Sequence, residues 1–165
     1  MPLRMKIKLV TVDRGYERIK RELEKMHGSY TKVGLPSEAK PKSGRGQKKY
    51  DDMSEVATVL AVHEWGAPNK GIPERSTMRT SFDENVLNLQ KIRNSEYNKI
   101  LSGKSNVKKS LGVMGSFLSN KTKQKIVDLK FPPNKPSTVN RKGSSNPLVD
   151  TAQMLNSITH VEVLK

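Results

Sequence analysis

The chain has 165 residues, which is enough for one domain with a modest hydrophobic core. It contains no cysteine, so disulfide bonds and thiolate metal sites are excluded. Lys and Arg number 31 against 16 Asp and Glu, and the net charge of +15 favours a polyanionic neighbour: nucleic acid, an acidic protein surface or a membrane face. The alternative is a solvated basic surface that only keeps the protein soluble.

The apolar content is low. Hydrophobic residues make up 33% of the chain and the mean hydropathy is −0.69, so we expect a small core and segments that order only against partners. No apolar run approaches the roughly 18 residues of a membrane helix. The first twelve residues are too charged for a signal peptide. The sequence therefore predicts a protein of the cytosol with no membrane span.

The first third of the chain predicts strand, helix and strand. Residues 5–12 alternate apolar residues with Lys, which is typical of a half-buried strand. Asp13 can cap a following helix, whose apolar residues recur at helical spacing until Gly28. Residues 29–36 hold two β-formers and are predicted as a second strand.

An arm and a third element follow. Residues 37–52 contain almost no apolar side chain, which predicts a mobile arm because nothing internal would offset its ordering entropy. The next helix is predicted to start at a Ser54 cap. Gly66 and Pro68 are expected to end it.

Two long helices are predicted next, over residues 76–101 and 107–131, with Gly103 between them. Gly112 and Gly115 weaken the second helix by about 1 kcal/mol each relative to Ala, and we expect them to permit a close helix contact. The predicted apolar stripes are Phe82, Val86, Leu89 and Ile100 in the first helix, and Val107, Leu111, Met114, Leu118, Ile126 and Leu129 in the second.

The end of the chain predicts a closing strand. Residues 132–147 are predicted as a second extended, mobile segment, followed by a short helix capped by Asp150 or Thr151 and a strand over 157–163. Strands at both ends must pair, because a lone strand leaves its backbone groups unsatisfied. The predicted fold over residues 1–165 is a single α+β domain, in which a small antiparallel sheet of the N-terminal strands and the C-terminal strand is packed by long helices.

The residue patterns argue against an enzyme. His63 and Glu64 begin like the zinc motif H-E-x-x-H, but Ala67 stands where the second His is needed. His63 is instead expected to pack beside the nearby tryptophan or to hydrogen-bond a backbone carbonyl. Residues 102–105 end like a phosphate-binding loop, yet Asn98 replaces its first glycine and no strand precedes it. We therefore expect no catalysis, no metal and no cofactor.

Sequence-specific nucleic-acid binding is also not expected. There is no helix-turn-helix pattern and no set of zinc-finger ligands, and aromatic residues make up only 5% of the chain. Nonspecific contact with a phosphate backbone stays open, because it needs only basic side chains.

Two segments carry a family resemblance. Residues 63–85 (HEWGAPNKGIPERSTMRTSFDEN) lead from one helix through a Gly/Pro loop into a long helix, and residues 147–158 read PLVDTAQMLNSI. In this order, they resemble the head–tail connector or tail-completion proteins of tailed bacteriophages, of the virion-morphogenesis type. Ala152 departs from the glycine usual in that family, so this turn need not be left-handed. The matching positions of the first segment are His63, Glu64, Trp65, Gly66, Ile72, Pro73, Glu74, Arg75, Met78, Arg79, Phe82 and Asn85.

The resemblance covers residues 54–165 well and implies a structural protein of the virion. It implies a homo-oligomeric ring of six subunits in the neck between head and tail, assembled in the host cytoplasm, with no catalysis. The implied partners are the adjacent neck or portal-adaptor ring, a tail-terminator or tail-tube protein, and duplex DNA passing through the lumen. The alternative is a nonspecific nucleic-acid-binding protein that serves as an architectural or packaging accessory.

The subunit or ring interface is predicted at Trp65, Arg75 and Arg79 and in the basic arm. Arginine near a helix start opposes the helix dipole unless an acid pairs with it, so Glu64, Glu74 or a neighbouring subunit is expected to do so. The alternative is a surface arginine without a role. The arm residues of this predicted interface are Lys40, Lys42, Arg45, Lys48 and Lys49.

A second contact is predicted at Lys121, Lys123 and Lys125, in a segment that is rich in Lys. Like charges repeated around a ring repel one another, which is tolerable only where something negative lies close. The candidates are an acidic rim on the adjoining ring and the DNA in the lumen. We favour the rim, because a channel that DNA must leave quickly should not bind phosphate strongly.

Overall fold

The computed structural model describes residues 13–37, 51–128, 131–143, 145, 148 and 152–165. The predicted first strand and most of the predicted arm, including its five basic interface residues, lie outside the described residues. A short 3₁₀ turn, Pro68–Lys70, lies between the helix that ends at Trp65 and the helix that begins at Met78. The elements in chain order are α1 (Tyr16–Met26), β1 (Tyr30–Gly34), α2 (Met53–Trp65), α3 (Met78–Leu101), α4 (Val107–Val127), α5 (Pro136–Lys142), α6 (Gln153–Ser157) and β2 (Thr159–Val163).

The predicted α+β fold is confirmed. Strands β1 and β2 form a two-stranded antiparallel sheet, with Tyr30 opposite Val163 and Gly34 opposite Thr159. The pairing joins an early segment of the chain to its end, as the unsatisfied backbone of a lone strand requires. Asp13 accepts hydrogen bonds from the N–H groups of Gly15 and Tyr16 at the start of α1, which agrees with its predicted capping role.

Helix α4 lies between α3 on one side and the sheet on the other. Gly115 faces the sheet so closely that a Cβ there would lie 2.7 Å from the His160 ring and from Thr31 Oγ1. A Cβ on Gly112 would lie 2.8 Å from Glu162 Oε1. The two glycines thus permit a close contact, as expected, but the element that approaches them is the sheet.

The hydrophobic core is small and lies where α2 meets the end of α4 and the C-terminal segment. Its buried members are Met53, Val56, Leu60, Ile126, Leu148, Met154 and Ile158. The long helices contribute few large apolar side chains: α4 buries small residues such as Ser119 and Thr122 at its two contacts. Phe82, expected on the buried stripe of α3, is 50% exposed, so that expectation is wrong for this residue.

Three helix limits differ from expectation. The N-cap of α2 is Asp52 rather than Ser54, because the Asp52 carboxylate accepts the hydrogen bond from the Ser54 N–H. Helix α4 ends at Val127 rather than at residue 131. Ala152, where the turn was not required to be left-handed, does have the left-handed conformation (φ 61°, ψ 7°), and it is the N-cap of α6 in place of Asp150 or Thr151.

The prediction of an extended segment over residues 132–147 is wrong for Pro136–Lys142, which forms α5. A proline in the first turn has its φ already set for a helix and lacks an N–H that the helix could not use there. Gly143 then ends the helix in the left-handed conformation. The mobility expected for this segment stays a prediction.

Candidate functional site

The segment that resembles the connector proteins folds into a tight joint between two helices, here called the α2–α3 junction (residues 63–79). Gly66 has φ 73°, and a Cβ there would lie 2.9 Å from the Glu74 backbone nitrogen, so the chain passes close to itself. Ala67 pairs with Ile72 in an isolated antiparallel bridge. The Arg75 N–H then donates to the carbonyl of His63 at 2.7 Å. These contacts return the chain to the end of α2 before α3 begins.

The carboxylate of Glu64 occupies the N-terminus of α3. It is 6% exposed and accepts the backbone N–H groups of Thr77 at 2.6 Å, Met78 at 3.0 Å and Arg79 at 2.9 Å. The hydroxyl of Ser76 also donates to it, at 2.8 Å. The first N–H groups of a helix have no partner inside the helix. A carboxylate contributed by the preceding helix therefore satisfies them and meets the positive end of the α3 dipole.

These hydrogen bonds decide the ionisation of Glu64. Burial favours the neutral acid, but the donors at the start of α3 stabilise the anion more strongly, so the pKa of Glu64 lies below its ordinary value. A carboxylate that is charged at neutral pH and held by these four donors and the Thr77 hydroxyl has little capacity to act as a base. The arrangement suits a rigid joint between two helices.

Arg79 has the acidic partners that the sequence led us to expect. Its guanidinium lies 2.6 Å from Glu74 Oε1 and 3.4 Å from Glu64 Oε1. It also lies 4.0 Å from the centroid of the Trp65 ring, which is 65% exposed. The flat face of the indole is therefore covered by the arginine, and a cationic and aromatic surface remains open to solvent at the junction.

Arg75 lies inside the protein, with 3% of its surface exposed. It donates to the Pro132 carbonyl at 3.1 Å and to Asn134 Oδ1 at 3.2 Å, and its Nη1 lies 3.1 Å from Nδ1 of His63. Burial lowers the pKa of Arg75. The side chain thus ties the junction to the loop after α4. The role of Arg75 at a subunit interface stays a prediction. Because the side chain is buried, such a role would consist of holding the junction and the loop after α4 in place.

Nδ1 of His63 lies 3.1 Å from Nη1 of Arg75. The packing beside Trp65 or the hydrogen bond to a backbone carbonyl that was expected for His63 stays a prediction. Among the described residues, no group of three or more His, Asp and Glu side chains could hold a metal ion. Within the same part of the chain, no helix is both long enough and apolar enough to cross a membrane.

The three lysines of the predicted second contact do not share one face of α4. Lys125 Nζ lies 2.5 Å from Glu84 of α3, and Lys121 stands one turn earlier on the same side, 5.9 Å from the Phe117 ring centroid. Lys123 is two residues from each, about 200° around the helix. The first two line a polar cleft of about 260 Å³ between α3 and α4. The rim or DNA contact stays a prediction.

The second resembling segment packs beside the first. Met154 and Ile158 are buried in the same core as Val56 and Leu60, the α2 residues one to two turns before Glu64. The role of Glu64 as the acceptor for α3 could not be found from the spacing of apolar residues. No sequence signal pointed to this role, because Thr77 is a residue type that can cap a helix itself, although its side chain does not do so here.

Comparisons of this chain with protein-family models, with curated proteins and with solved structures found no match.

Proposed function

We propose that this protein is a structural subunit of the neck of a tailed bacteriophage. Copies of the chain form a ring that joins the DNA-filled head to the tail and lets the DNA pass. The observation that carries the proposal is that both segments of the resemblance pack on one core: Met78 of the first segment packs against the cluster that includes Met154 and Ile158 of the second. Residues 63–85 supply the carboxylate-capped joint, and the segment around α6 completes the core beneath it.

The exposed surface of the junction also supports a structural role. A buried network fixes the start of α3 and so presents Trp65 and Arg79 in a defined geometry. Aromatic residues and Arg are enriched at protein interfaces, where they contribute much of the binding free energy. A preorganised surface of this kind suits repeated contact between subunits or with an adjoining ring.

The test is removal of the chain from the phage that encodes it. A stop codon early in the reading frame should give DNA-filled heads and separate tails, and supplying the chain from a plasmid should restore joined particles. Mass spectrometry and cryo-electron microscopy of normal virions should find it in the neck with cyclic symmetry. Infectious particles at normal titre without the chain would overturn the proposal.

The net charge of +15 favours a second candidate, a nonspecific nucleic-acid-binding accessory. Such a protein would bind duplex DNA of any sequence, with an affinity that falls steeply as salt rises. Light scattering after nuclease treatment in about 0.5 M salt, where charge attraction is largely screened, separates the two. Assembly without nucleic acid supports the ring, whereas a monomer that associates only on added DNA supports the accessory.

A further inference from the structure

The polar cleft between α3 and α4 contains a buried hydroxyl that is not used within the described part of the chain. Ser81 lines the cleft and is 1% exposed, and among the described residues its Oγ has no hydrogen-bond partner. The hydroxyls of Thr80, Ser119 and Thr122 each donate to a carbonyl of the preceding turn. A buried hydroxyl without a partner costs free energy, so Ser81 offers a donor to a ligand.

Lys121 provides a positive charge in the same cleft. Its Nζ lies 3.4 Å from Gln124 Oε1, and within the described ranges it forms no ion pair with a carboxylate. Lys125, one turn later, is already paired with Glu84 at 2.5 Å. The cation that is available to a ligand in this cleft is therefore Lys121.

The cleft also contains two acids, so its formal charge is zero. Lys121 and Lys125 balance Glu84 and Asp128. Asp128 is exposed and follows Lys121 by seven residues, which places it on the same side of α4, about 10 Å farther along the axis. Over that distance salt screens the repulsion between Asp128 and an anion bound at Lys121. The cleft can therefore accept one negative charge beside Lys121 but not several.

Size and charge together limit the occupant. The volume of about 260 Å³ is below the roughly 300–1,000 Å³ of small-molecule pockets, and every lining residue is polar or charged. A side-chain carboxylate fits, because its two oxygens can accept from Ser81 and from Lys121, and hydrogen bonds to an ionised acceptor are the stronger kind. Duplex DNA fits poorly, because it would place one negative charge per about 1.7 Å of its axis beside Glu84 and Asp128.

We propose that this cleft binds the carboxylate of an Asp or Glu side chain that a partner protein inserts. Ser81 Oγ donates to one carboxylate oxygen and Lys121 Nζ to the other, while Glu84 and Asp128 disfavour polyanions. Of the three lysines predicted to form a contact, this assigns the role to Lys121. The inference rests on the proposed neck function only for the identity of the partner, a protein of the adjoining ring.

The binding test uses the full chain labelled with ¹⁵N and N-acetylglutamic acid methylamide, which presents a single carboxylate. The wild type should show saturable NMR shifts of the Ser81 and Lys121 amides in the millimolar range, and the uncharged glutamine analogue should cause none. Lys121→Gln should weaken binding about tenfold or more, because a charge-assisted hydrogen bond is lost. Lys109→Gln makes the same charge change on α4, about 18 Å away along the axis, and should have little effect.

Ser81→Ala distinguishes a ligand donor from a structural hydroxyl. Binding of the glutamic acid probe should weaken several-fold, while the Tm of the free protein should rise by about 2–4 °C because a buried group without a partner is removed. Ser95→Ala, at an exposed position of α3, controls for the helix propensity of Ala and should raise the Tm less. A lower Tm in Ser81→Ala would show that the hydroxyl has a structural partner and would overturn the inference.

The partner is tested in purified virions with a carbodiimide, which joins a lysine to a carboxylate in direct contact. Lys125 and Glu84 should be joined within the chain, which provides an internal control. Mass spectrometry should find Lys121 joined to an Asp or Glu of another protein. A Lys121 that stays unjoined while the control pair forms, or that is joined only to Asp128 of its own chain, would contradict the inference.

Two further results would overturn the inference. One is the absence of saturable shifts with the glutamic acid probe. The other is tighter binding of a short DNA duplex with shifts of the same amides, which would assign the cleft to phosphate. Neither result removes the neck function, which is decided by the content and joining of virions. Virions that lack the chain would remove the neck function, whereas the carboxylate site would still be decided by binding in solution.

Discussion

Helices α3 and α4 are the two longest in the protein and pack side by side, yet they begin in different ways. The side chain of Thr77, the residue before α3, makes no capping hydrogen bond, and the helix receives the carboxylate of Glu64 from α2. Before α4, the Asn106 side chain accepts the Lys109 N–H at 2.9 Å, and Glu22 of α1 accepts the Val107 N–H at the same distance.

The difference has a consequence for how each helix is held. A cap from the preceding residue forms with the first turn of its own helix, wherever that helix lies. A cap from another helix forms only when the two helices have the correct relative position. The start of α3 is therefore coupled to the position of α2, whereas α4 can begin independently and gains Glu22 as an additional contact.

The largest effect is expected at Glu64. The substitution Glu64→Gln removes the negative charge and leaves backbone N–H groups of α3 without a full set of acceptors. The free energy of unfolding should therefore fall by about 3 kcal/mol. Urea unfolding followed by circular dichroism measures this. Glu55→Gln, an exposed acid on the same helix, should change stability little. Equal losses in the two variants would show that Glu64 is not special.

Acid should weaken the same contact. The pKa of Glu64 is lowered in the folded protein, so its contribution to stability is complete above the ordinary pKa of about 4.3 and is lost as the pH falls through the folded value. The stability difference between wild type and Glu64→Gln should therefore shrink between about pH 7 and about pH 3. Taking the difference in stability between the two proteins removes the contributions of Glu22 and Glu96, whose pKa values are also lowered and which both proteins share. A difference that is constant with pH would contradict this.

A smaller effect is expected at the start of α4. Asn106→Ala removes the local cap and should cost about 1 kcal/mol, because Glu22 still accepts the Val107 N–H. Thermal unfolding of Asn88→Ala, an exposed Asn within α3, provides the control and should show no loss. A cost as large as that of Glu64→Gln would remove the contrast between the two helix starts.

The smallest effect is expected at α6, a helix start of a third kind. Ala152 holds a left-handed conformation that Gly adopts without strain, so Ala152→Gly should stabilise the protein by about 0.5 kcal/mol, after the greater freedom of Gly in the unfolded chain is subtracted. The same change at Ala57, inside α2, should destabilise by about 1 kcal/mol. If chemical unfolding shows a loss at Ala152 as well, its backbone conformation is not the limiting factor.

The sites differed in how far the sequence could anticipate them. The pairing of Arg79 with Glu64 and Glu74 was expected from the dipole argument, because charge and helix start are both visible in the sequence. The burial of Arg75 was not, since its acceptors include the Pro132 carbonyl, 57 residues away along the chain. The left-handed Ala152 was also missed, because Ala has no preference for that conformation.

By itself, the sequence determined the order of the described helices and strands apart from α5, the need for the strands to pair, and the excess of positive charge. Each of these depends on residue type and on spacing along the chain. Only the tertiary structure decided that Glu64 caps α3 and that Gly115 faces the sheet. Those features depend on distances between segments far apart in the chain, which the packing of α2, α4 and the C-terminal residues sets.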